Sequence, residues 1–361
     1  MALSKILPAS QDQFAGARNL IINGAMQVAQ RGTSDTVDGG GWDYVIDRFC
    51  ALGQSSAGVF TYSQDPDAPA GFQKSLKVAV TTADASIASG DIYTIRHTIE
   101  GYNSAHLDFG TSDAKTVTLS FWVKSSLTGT FGGALNNEGT RSYPFTYTIS
   151  SANTWEQKTI TITGDTTGTW GVTNSHGVRI TWGLGVGTTY SGTAGSWAGS
   201  EYFSATGATS VIGTASATWY ITGVQLEVGE TATPFEHRSF GDELARCQRY
   251  YYFSGFGGDI HPGDSDAAAA VDYEGRVMAV HIGSNRHTFF GNFPVFLRAI
   301  PTLTFYSPHD GASANAENYS GGGNIAISAS YSRSRHGLNG YSQTSTSGDT
   351  LTAYLEANAE L

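Results

Sequence analysis

Residues 117–124, Val117-Thr-Leu-Ser-Phe-Trp-Val-Lys124, carry the pattern that decides the fold class. Val117, Leu119, Phe121 and Val123 alternate with their neighbours, so they share one face of a β-strand. The same period of two recurs on both sides of this stretch, and clusters of Gly, Asn, Asp and Ser separate the repeats. Those further predicted strands cover 44–52, 75–81, 92–99, 143–149, 156–163, 178–184 and 218–228. The pattern predicts an all-β chain of jelly-roll or β-sandwich domains.

The composition favours the same class. The 361 residues include 45 Gly and 12 % aromatics, and only 14 % of them are charged, against about a quarter in an ordinary globular domain. Helices favour Ala, Glu, Lys and Arg, so this composition is not typical of an all-α chain. The net charge of −11 and the lack of a basic block argue against nucleic-acid binding. We expect neither a secretory signal nor membrane insertion, because no long apolar run occurs.

One helix stands out near residue 240. Ser239 is followed three residues later by Asp242, as in a capping box, although Asp replaces the usual Glu or Gln. A second set of short strands follows the helix, at 250–253, 268–273, 276–282, 287–290, 302–306, 324–330 and 350–358. The predicted division is an extended N-terminal arm (1–18), a first jelly roll (19–238), a linker helix (239–249) and a C-terminal β-sandwich (250–361).

The predicted strand at 218–228 has two unlike faces. Strict alternation puts Tyr220, Thr222, Val224, Leu226 and Val228 on one face, and the residues between them on the other. The second face then mixes Trp219 and Ile221 with Gln225 and Glu227. We expect that mixed face to lie against a neighbour.

Motifs of catalysis are missing from the sequence. It contains no phosphate-binding loop with Gly-Lys-Ser/Thr, no His-Glu-x-x-His and no Gly-x-Ser-x-Gly, so we expect no enzyme activity. Asp264 and Asp266 stand two apart in a loop and can present oxygens to Ca²⁺. The same carboxylates fit a polar turn or a glycosidase pair. The sequence allows Ca²⁺ at these carboxylates and predicts no other cofactor.

A second candidate site combines tyrosines with cations. Aromatic faces bind the apolar side of a sugar ring, while planar Arg and His groups bind hydroxyls or carboxylates. The residues that fit this chemistry are Tyr306, His309, Tyr331, Arg333, Arg335, His336 and Tyr341. If the segment is a strand, Arg333 and Arg335 point the same way and can hold an acidic glycan. The alternative is a surface hairpin with solvated charges.

Several segments together resemble structural proteins of tailed bacteriophages. They are Arg18-Asn-Leu-Ile-Ile-Asn-Gly, Ile221-Thr-Gly-Val-Gln-Leu-Glu, Glu243-Leu-Ala-Arg-Cys, Phe293-Pro-Val-Phe-Leu-Arg and the final Ala-Asn-Ala-Glu-Leu. The set resembles tail-fibre and related virion appendage proteins, which are built from jelly-roll domains similar to carbohydrate-binding modules. The resemblance spans about residues 18–361, and the family's binding residues do not transfer to this chain.

That resemblance implies a receptor-binding role in host attachment. The protein is then a non-enzymatic virion component assembled in the host cytoplasm, a homotrimer whose C-terminal domain contacts host surface polysaccharide. The N-terminal arm attaches it to other tail or capsid proteins. The predicted attachment residues are Leu3, Ser4, Ile6, Leu7 and Phe14. Two alternatives stay open, namely a glycan-degrading tailspike enzyme and a capsid decoration or fibre adaptor without receptor contact.

Overall fold

The structure is a computed structural model that describes residues 18–55, 57–256, 262, 276–283, 286–308, 310–318, 323–327, 330–343 and 351–361. It divides into two compact units. Unit 1 takes residues 1–27, 34–43 and 49–238, and unit 2 takes 28–33, 44–48 and 239–361. Among the described helices, none combines the length and the apolar character needed to cross a membrane.

Unit 1 is a sandwich of two antiparallel sheets. Its strands are β1 (Ser34–Val37), β2 (Trp42–Tyr44), β3 (Phe49–Gly53), β4 (Val59–Asp65), β5 (Ser75–Thr82), β6 (Ile92–Glu100), β7 (Val117–Ser125), β8 (Gly129–Asn136), β9 (Ser142–Ile149), β10 (Glu156–Ile162), β11 (His176–Val186), β12 (Ser191–Gly192), β13 (Ser204–Ala205) and β14 (Thr218–Val228). A short helix α1 (Gly101–Ser104) follows β6. Sheet 1 has the order β1-β4-β5-β14-β7-β10, and sheet 2 the order β2-β3-β6-β11-β8-β9. Strands β12 and β13 form a separate parallel pair.

The core of unit 1 lies between these two sheets. Phe121 of β7 and Trp182 of β11 come from opposite sheets, and their ring centres lie 5.8 Å apart. Both side chains are fully buried. The all-β prediction is therefore confirmed, and the alternation in 117–124 places its apolar residues in the core as expected.

Unit 2 is also built from strands, after one helix. Its elements are α2 (Phe240–Gln248), β15 (Tyr251–Phe253), β16 (Val277–Gly283), β17 (Arg286–Asn292), β18 (Thr302–Tyr306), β19 (Asn315–Asn318), β20 (Asn324–Ala326), β21 (Ser330–Arg333), β22 (Gly337–Gln343) and β23 (Leu351–Asn358). Strand β23 is central, because it pairs with β15, β16, β18 and β19. Leu351 and Leu355 of this strand lie in a core with Phe289 and Phe305.

The helix prediction near residue 240 is confirmed. The Ser239 hydroxyl accepts a hydrogen bond from the Asp242 amide at 3.2 Å, which satisfies one of the free donors of the first turn. Acidic Asp242 and Glu243 lie in the first turn and Arg246 in the last, as the helix dipole favours.

The single strand predicted at 44–52 is wrong. The structure ends β2 at Tyr44 and begins β3 at Phe49, and Arg48 has a left-handed φ of +71°. Asp47 and Arg48 are both buried. A buried charge requires a partner, and Arg48 finds one in Glu360. The break in the strand thus places these two charged residues within unit 2.

The face assignment for 218–228 is also wrong. The pairing of β14 with β7 shifts register between Thr222 and Gln225, where Gly223 has a φ of +62°. The extra residue of a bulge reverses the alternation. Consequently Trp219 and Ile221 before the bulge, and Val224 and Leu226 after it, are all buried in unit 1.

Candidate functional site

A groove lies on the outer face of sheet 2, the face turned away from the sandwich core. Along β6, Ile95 is fully buried and pairs with the core residue Trp182. Arg96, one residue further, therefore projects to the outer face, where it lies beside Cys50 of β3 and Thr181 of β11. Arg179 also lies on this face, as the diagonal neighbour of Arg96 on the adjacent strand.

The groove has a volume of about 480 Å³. Its floor comes from β3, β6 and β11, one wall from the segment before β2, and the other from the long connection between β11 and β14. The lining residues are Gly40, Gly41, Trp42, Leu52, Gln54, Ile92, Arg96, Arg179, Tyr190, Glu201 and Phe203. Ring faces, two guanidinium groups and one carboxylate thus meet in a concave surface.

Arg96 lies close to two aromatic rings. Its guanidinium carbon is 3.8 Å from the ring centre of Trp42 and 5.2 Å from that of Phe203. Trp42 is 40 % exposed, an unusual value for so large an apolar side chain in this unit. Stacked cations are attracted by the negative faces of aromatic rings, so Arg96 fixes the position of the exposed Trp42.

Arg179 is held by acidic residues. Its Nη2 lies 3.1 Å from Oε1 of Glu138, and its Nη1 lies 3.9 Å from Oε1 of Glu201. The other oxygen of Glu138 accepts from Nδ1 of His176 at 2.7 Å. Partial burial of Glu138 opposes its ionisation, yet His176 and Arg179 hold the pKa of this carboxyl below its ordinary value. Nε of Arg179 is buried and makes no hydrogen bond.

The second wall is the connection after β11. Tyr190 and Phe203 stack with ring centres 5.5 Å apart, and the Asn136 amide of β8 donates to the Tyr202 carbonyl at 3.2 Å. Gly183 on β11 allows this close approach, because a Cβ there would lie 2.7 Å from the Ser204 hydroxyl. The connection is thus fastened across sheet 2 and gives the groove a fixed depth.

The predicted site in the C-terminal half is only partly brought together. Arg335 lies 4.0 Å from the ring centre of Phe296, and the His336 ring meets the same Phe296 edge-on at 4.2 Å. Strand β21 ends at Arg333, which is exposed, and residues 334–337 form a turn. Arg333 and Arg335 therefore do not share one strand face.

The tyrosines of that predicted site lie on different strands. Tyr306 is on β18, and its hydroxyl donates to the Glu356 carboxylate at 2.6 Å. Burial, assisted by Glu356, raises the pKa of Tyr306 above its ordinary value. Tyr331 and Tyr341 lie on the paired strands β21 and β22, which β16 and β17 separate from β23.

The remaining predicted site residues lie outside the described residues. They are His309, the calcium candidates Asp264 and Asp266, and the attachment residues Leu3, Ser4, Ile6, Leu7 and Phe14. Among the residues that the structure describes, no group of three His, Cys, Asp or Glu side chains is arranged to hold a metal ion.

Sequence reasoning missed the groove. Trp42 had one usable signal, since it follows Gly39-Gly40-Gly41, three glycines with positive φ. Glycine adopts positive φ without strain, so three in a row predict a turn immediately before Trp42. The sequence around Arg96 and Arg179 did not indicate a binding site, because each residue lies within an ordinary alternating strand. Only the wall after β11 places the two arginines in one groove.

Comparisons with known proteins give only distant likenesses. No protein-family model and no curated protein sequence matches the chain. Among solved structures, the N-terminal cellulose-binding domain of a Cellulomonas fimi β-1,4-glucanase is 12 % identical, with a TM-score of 0.27, over 56 % of this chain and 94 % of its own. A family 11 carbohydrate-binding module from Clostridium thermocellum is 8 % identical, with a TM-score of 0.28, over 57 % of this chain and 99 % of its own.

A viral structure is also similar in part. The enzymatically active domain of tailspike protein 4 of bacteriophage CBA120 is 13 % identical, with a TM-score of 0.31, over 59 % of this chain. The match covers only 22 % of that tailspike chain. At such identities and TM-scores the function has to be argued from the groove residues themselves.

Proposed function

We propose that unit 1 is a non-catalytic glycan-binding module whose site is the groove on sheet 2. The observation that carries this proposal is the exposed Trp42 ring, braced by Arg96 beside a depression that also contains Arg179 and Glu201. A sugar ring has an apolar face that stacks on an aromatic ring, and an edge of hydroxyls that needs donors and acceptors. The groove supplies both chemistries within one concavity.

Fixed geometry supports binding by this groove. The wall after β11 is fastened to sheet 2, and Arg179 is oriented by Glu138. Binding then requires little ordering of side chains, which is one of the main costs of association.

We further propose that this module belongs to a virion appendage of a tailed bacteriophage, with the N-terminal arm attached to other virion proteins. The sequence segments that resemble tail-fibre proteins support this context, and the low charge of 14 % suits burial between the subunits of a homotrimer. The competing roles are a glycan-degrading tailspike and an adaptor without receptor contact. Release of new reducing ends from host capsule would favour the tailspike.

The test is a pair of tryptophan variants of the full chain on a glycan array. We expect Trp42→Ala to lose about tenfold or more in affinity, since stacking on one aromatic ring contributes on the order of 1–2 kcal/mol. Trp155→Ala is the matched control, because Trp155 lies outside the groove and its indole donates to Asp67. Unchanged binding by Trp42→Ala, or equal loss in both variants, would contradict the proposal.

A further inference from the structure

Two arginines stand together on the groove floor of an acidic chain. Arg96 and Arg179 are 6 % and 8 % exposed, and they lie on neighbouring strands of one face. With Glu201 they are the charged residues that line the groove, and Glu138 pairs with Arg179 from beside it. The chain as a whole carries −11.

We infer that the glycan bound in this groove is acidic, and that Arg96 and Arg179 recognise a carboxylate carried by its sugar ring. The inference rests on the proposed function and adds the chemical class of the ligand. A site for neutral glucans or xylans needs only an aromatic ring for stacking and amides for the hydroxyls. The inferred carboxylate contact distinguishes this groove from such a site.

The environment of Arg96 favours this chemistry. Trp42 and Phe203 contact the guanidinium through their ring faces. The five N–H donors of a guanidinium lie in its plane and form a fork that matches a carboxylate, and this fork is compatible with ring contacts to the cation. The two rings also keep water away from the cation, which strengthens a charge-assisted hydrogen bond.

Arg179 offers a second, independent observation. Its Nε is buried, has no hydrogen-bond partner and belongs to a side chain that lines the groove. Its contact with Glu201 is long, at 3.9 Å. This Nε is covered by protein, so a ligand in the groove would meet the Nη groups, which Glu138 and Glu201 orient.

The experiment compares matched acidic and neutral ligands on the full chain. The probes are oligosaccharides of galacturonate, glucuronate, mannuronate and sialic acid, each beside its carboxyl-reduced counterpart, together with cellohexaose, xylohexaose and a sulfated galactan. We expect at least one acid to bind about tenfold or more tightly than its reduced form, since a hydrogen bond to a charged group contributes on the order of one to two powers of ten. The preference should weaken as salt rises.

Arginine variants assign the effect to the groove. We expect Arg96→Lys and Arg179→Lys to lose most of the preference for the acid, because lysine keeps the charge without the planar fork. Arg333→Gln removes an exposed guanidinium from unit 2 and should leave the preference unchanged. The acid-to-neutral comparison uses the unaltered chain, so it remains decisive even if a variant fails to fold.

The outcomes separate this inference from the proposed function. Equal binding of acidic and reduced forms at the groove would overturn the carboxylate assignment while leaving glycan binding intact. Stronger binding of the sulfated galactan than of every carboxylate would assign a different anion and overturn it too. Loss of the preference in Arg333→Gln would move the site to unit 2. Binding of no probe, neutral ones included, would contradict the proposed function itself.

Discussion

At the scale of single residues, Asp47 shows how burial and charge oppose each other. Its carboxylate is fully buried in unit 2. It accepts hydrogen bonds from the backbone and side-chain amides of Gln30 and lies 3.8 Å from Arg31. Burial nevertheless dominates and raises the pKa of Asp47 from 3.8 to about 6, although Arg31 and Gln30 act in the opposite direction.

A pH dependence of stability follows from that raised pKa. Between pH 6 and pH 4 the folded chain binds a proton at Asp47 that the unfolded chain releases, so this residue stabilises the fold as the pH falls. The gain reaches at most about 3 kcal/mol, since each unit of pKa corresponds to about 1.4 kcal/mol. We expect Asp47→Asn to remove it.

Hydrogen exchange at the amides of β23, the central strand of unit 2, measures the effect. The free energy of opening is compared between pH 7 and pH 4.5 in the original chain and in Asp47→Asn. Carboxyls remote from Asp47 cancel in this comparison, so the difference between the two pH profiles reports Asp47 and the charges coupled to it, such as Glu360. Parallel profiles would show that its ionisation does not affect folding.

The groove residues differ in how much of their position the sequence predicts. The three glycines before Trp42 predict a turn, whereas the exposure of its ring comes from the structure. Arg96 lies in a strand whose alternation was predicted, so its face was implicit in the sequence. Phe203 is 107 residues away from it along the chain, and only folding of the wall after β11 brings that ring to Arg96.

At the scale of elements, the helix was easier to predict than the strand before it. Helix α2 is specified by local signals, the Ser239 cap and the charges of its first and last turns. Strand β14 depends on a partner, because its bulge appears only in the register with β7. Gly223 was the one local sign of it, since glycine inside a strand is typical of bulges.

Substituting Gly223 tests the bulge. A Cβ at this residue would lie 2.7 Å from Cζ of Phe72 and 3.1 Å from Cδ1 of Trp122, on a backbone with a φ of +62°. We expect Gly223→Ala to lower the free energy of unfolding of unit 1 by about 1–3 kcal/mol. Chemical denaturation followed by tryptophan fluorescence measures this change. Gly90→Ala is the control, because a Cβ added there would have no atom within 4 Å apart from its chain neighbours; a loss as large there would refute the bulge explanation.

At the scale of the whole molecule, the two units are interleaved along the chain. Segments 28–33 and 44–48 belong to unit 2, although unit 1 residues flank them on both sides. Local patterns divide a sequence into continuous stretches, as in the division at 19–238 and 250–361. Arg31 and Arg48 were visible in the sequence, but their partner Glu360 is 329 and 312 residues away.

The interleaving predicts that residues 239–361 do not fold alone. In the whole chain Glu360 pairs with Arg31 at 3.3 Å and with Arg48. The same guanidinium groups stack on Tyr251 and Tyr250, at 3.5 and 3.6 Å from their ring centres. Removing one side of a buried ion pair costs about 3–5 kcal/mol, which is comparable to the full stability of many domains.

We therefore expect a 239–361 fragment to lack a cooperative unfolding transition. Adding a peptide of residues 28–48 should restore that transition. The same peptide with Arg48→Gln should restore it poorly, because Glu360 and Tyr250 then lose their cation. Circular dichroism during urea titration distinguishes these cases, and a fragment that unfolds cooperatively without the peptide would show that the two segments are dispensable.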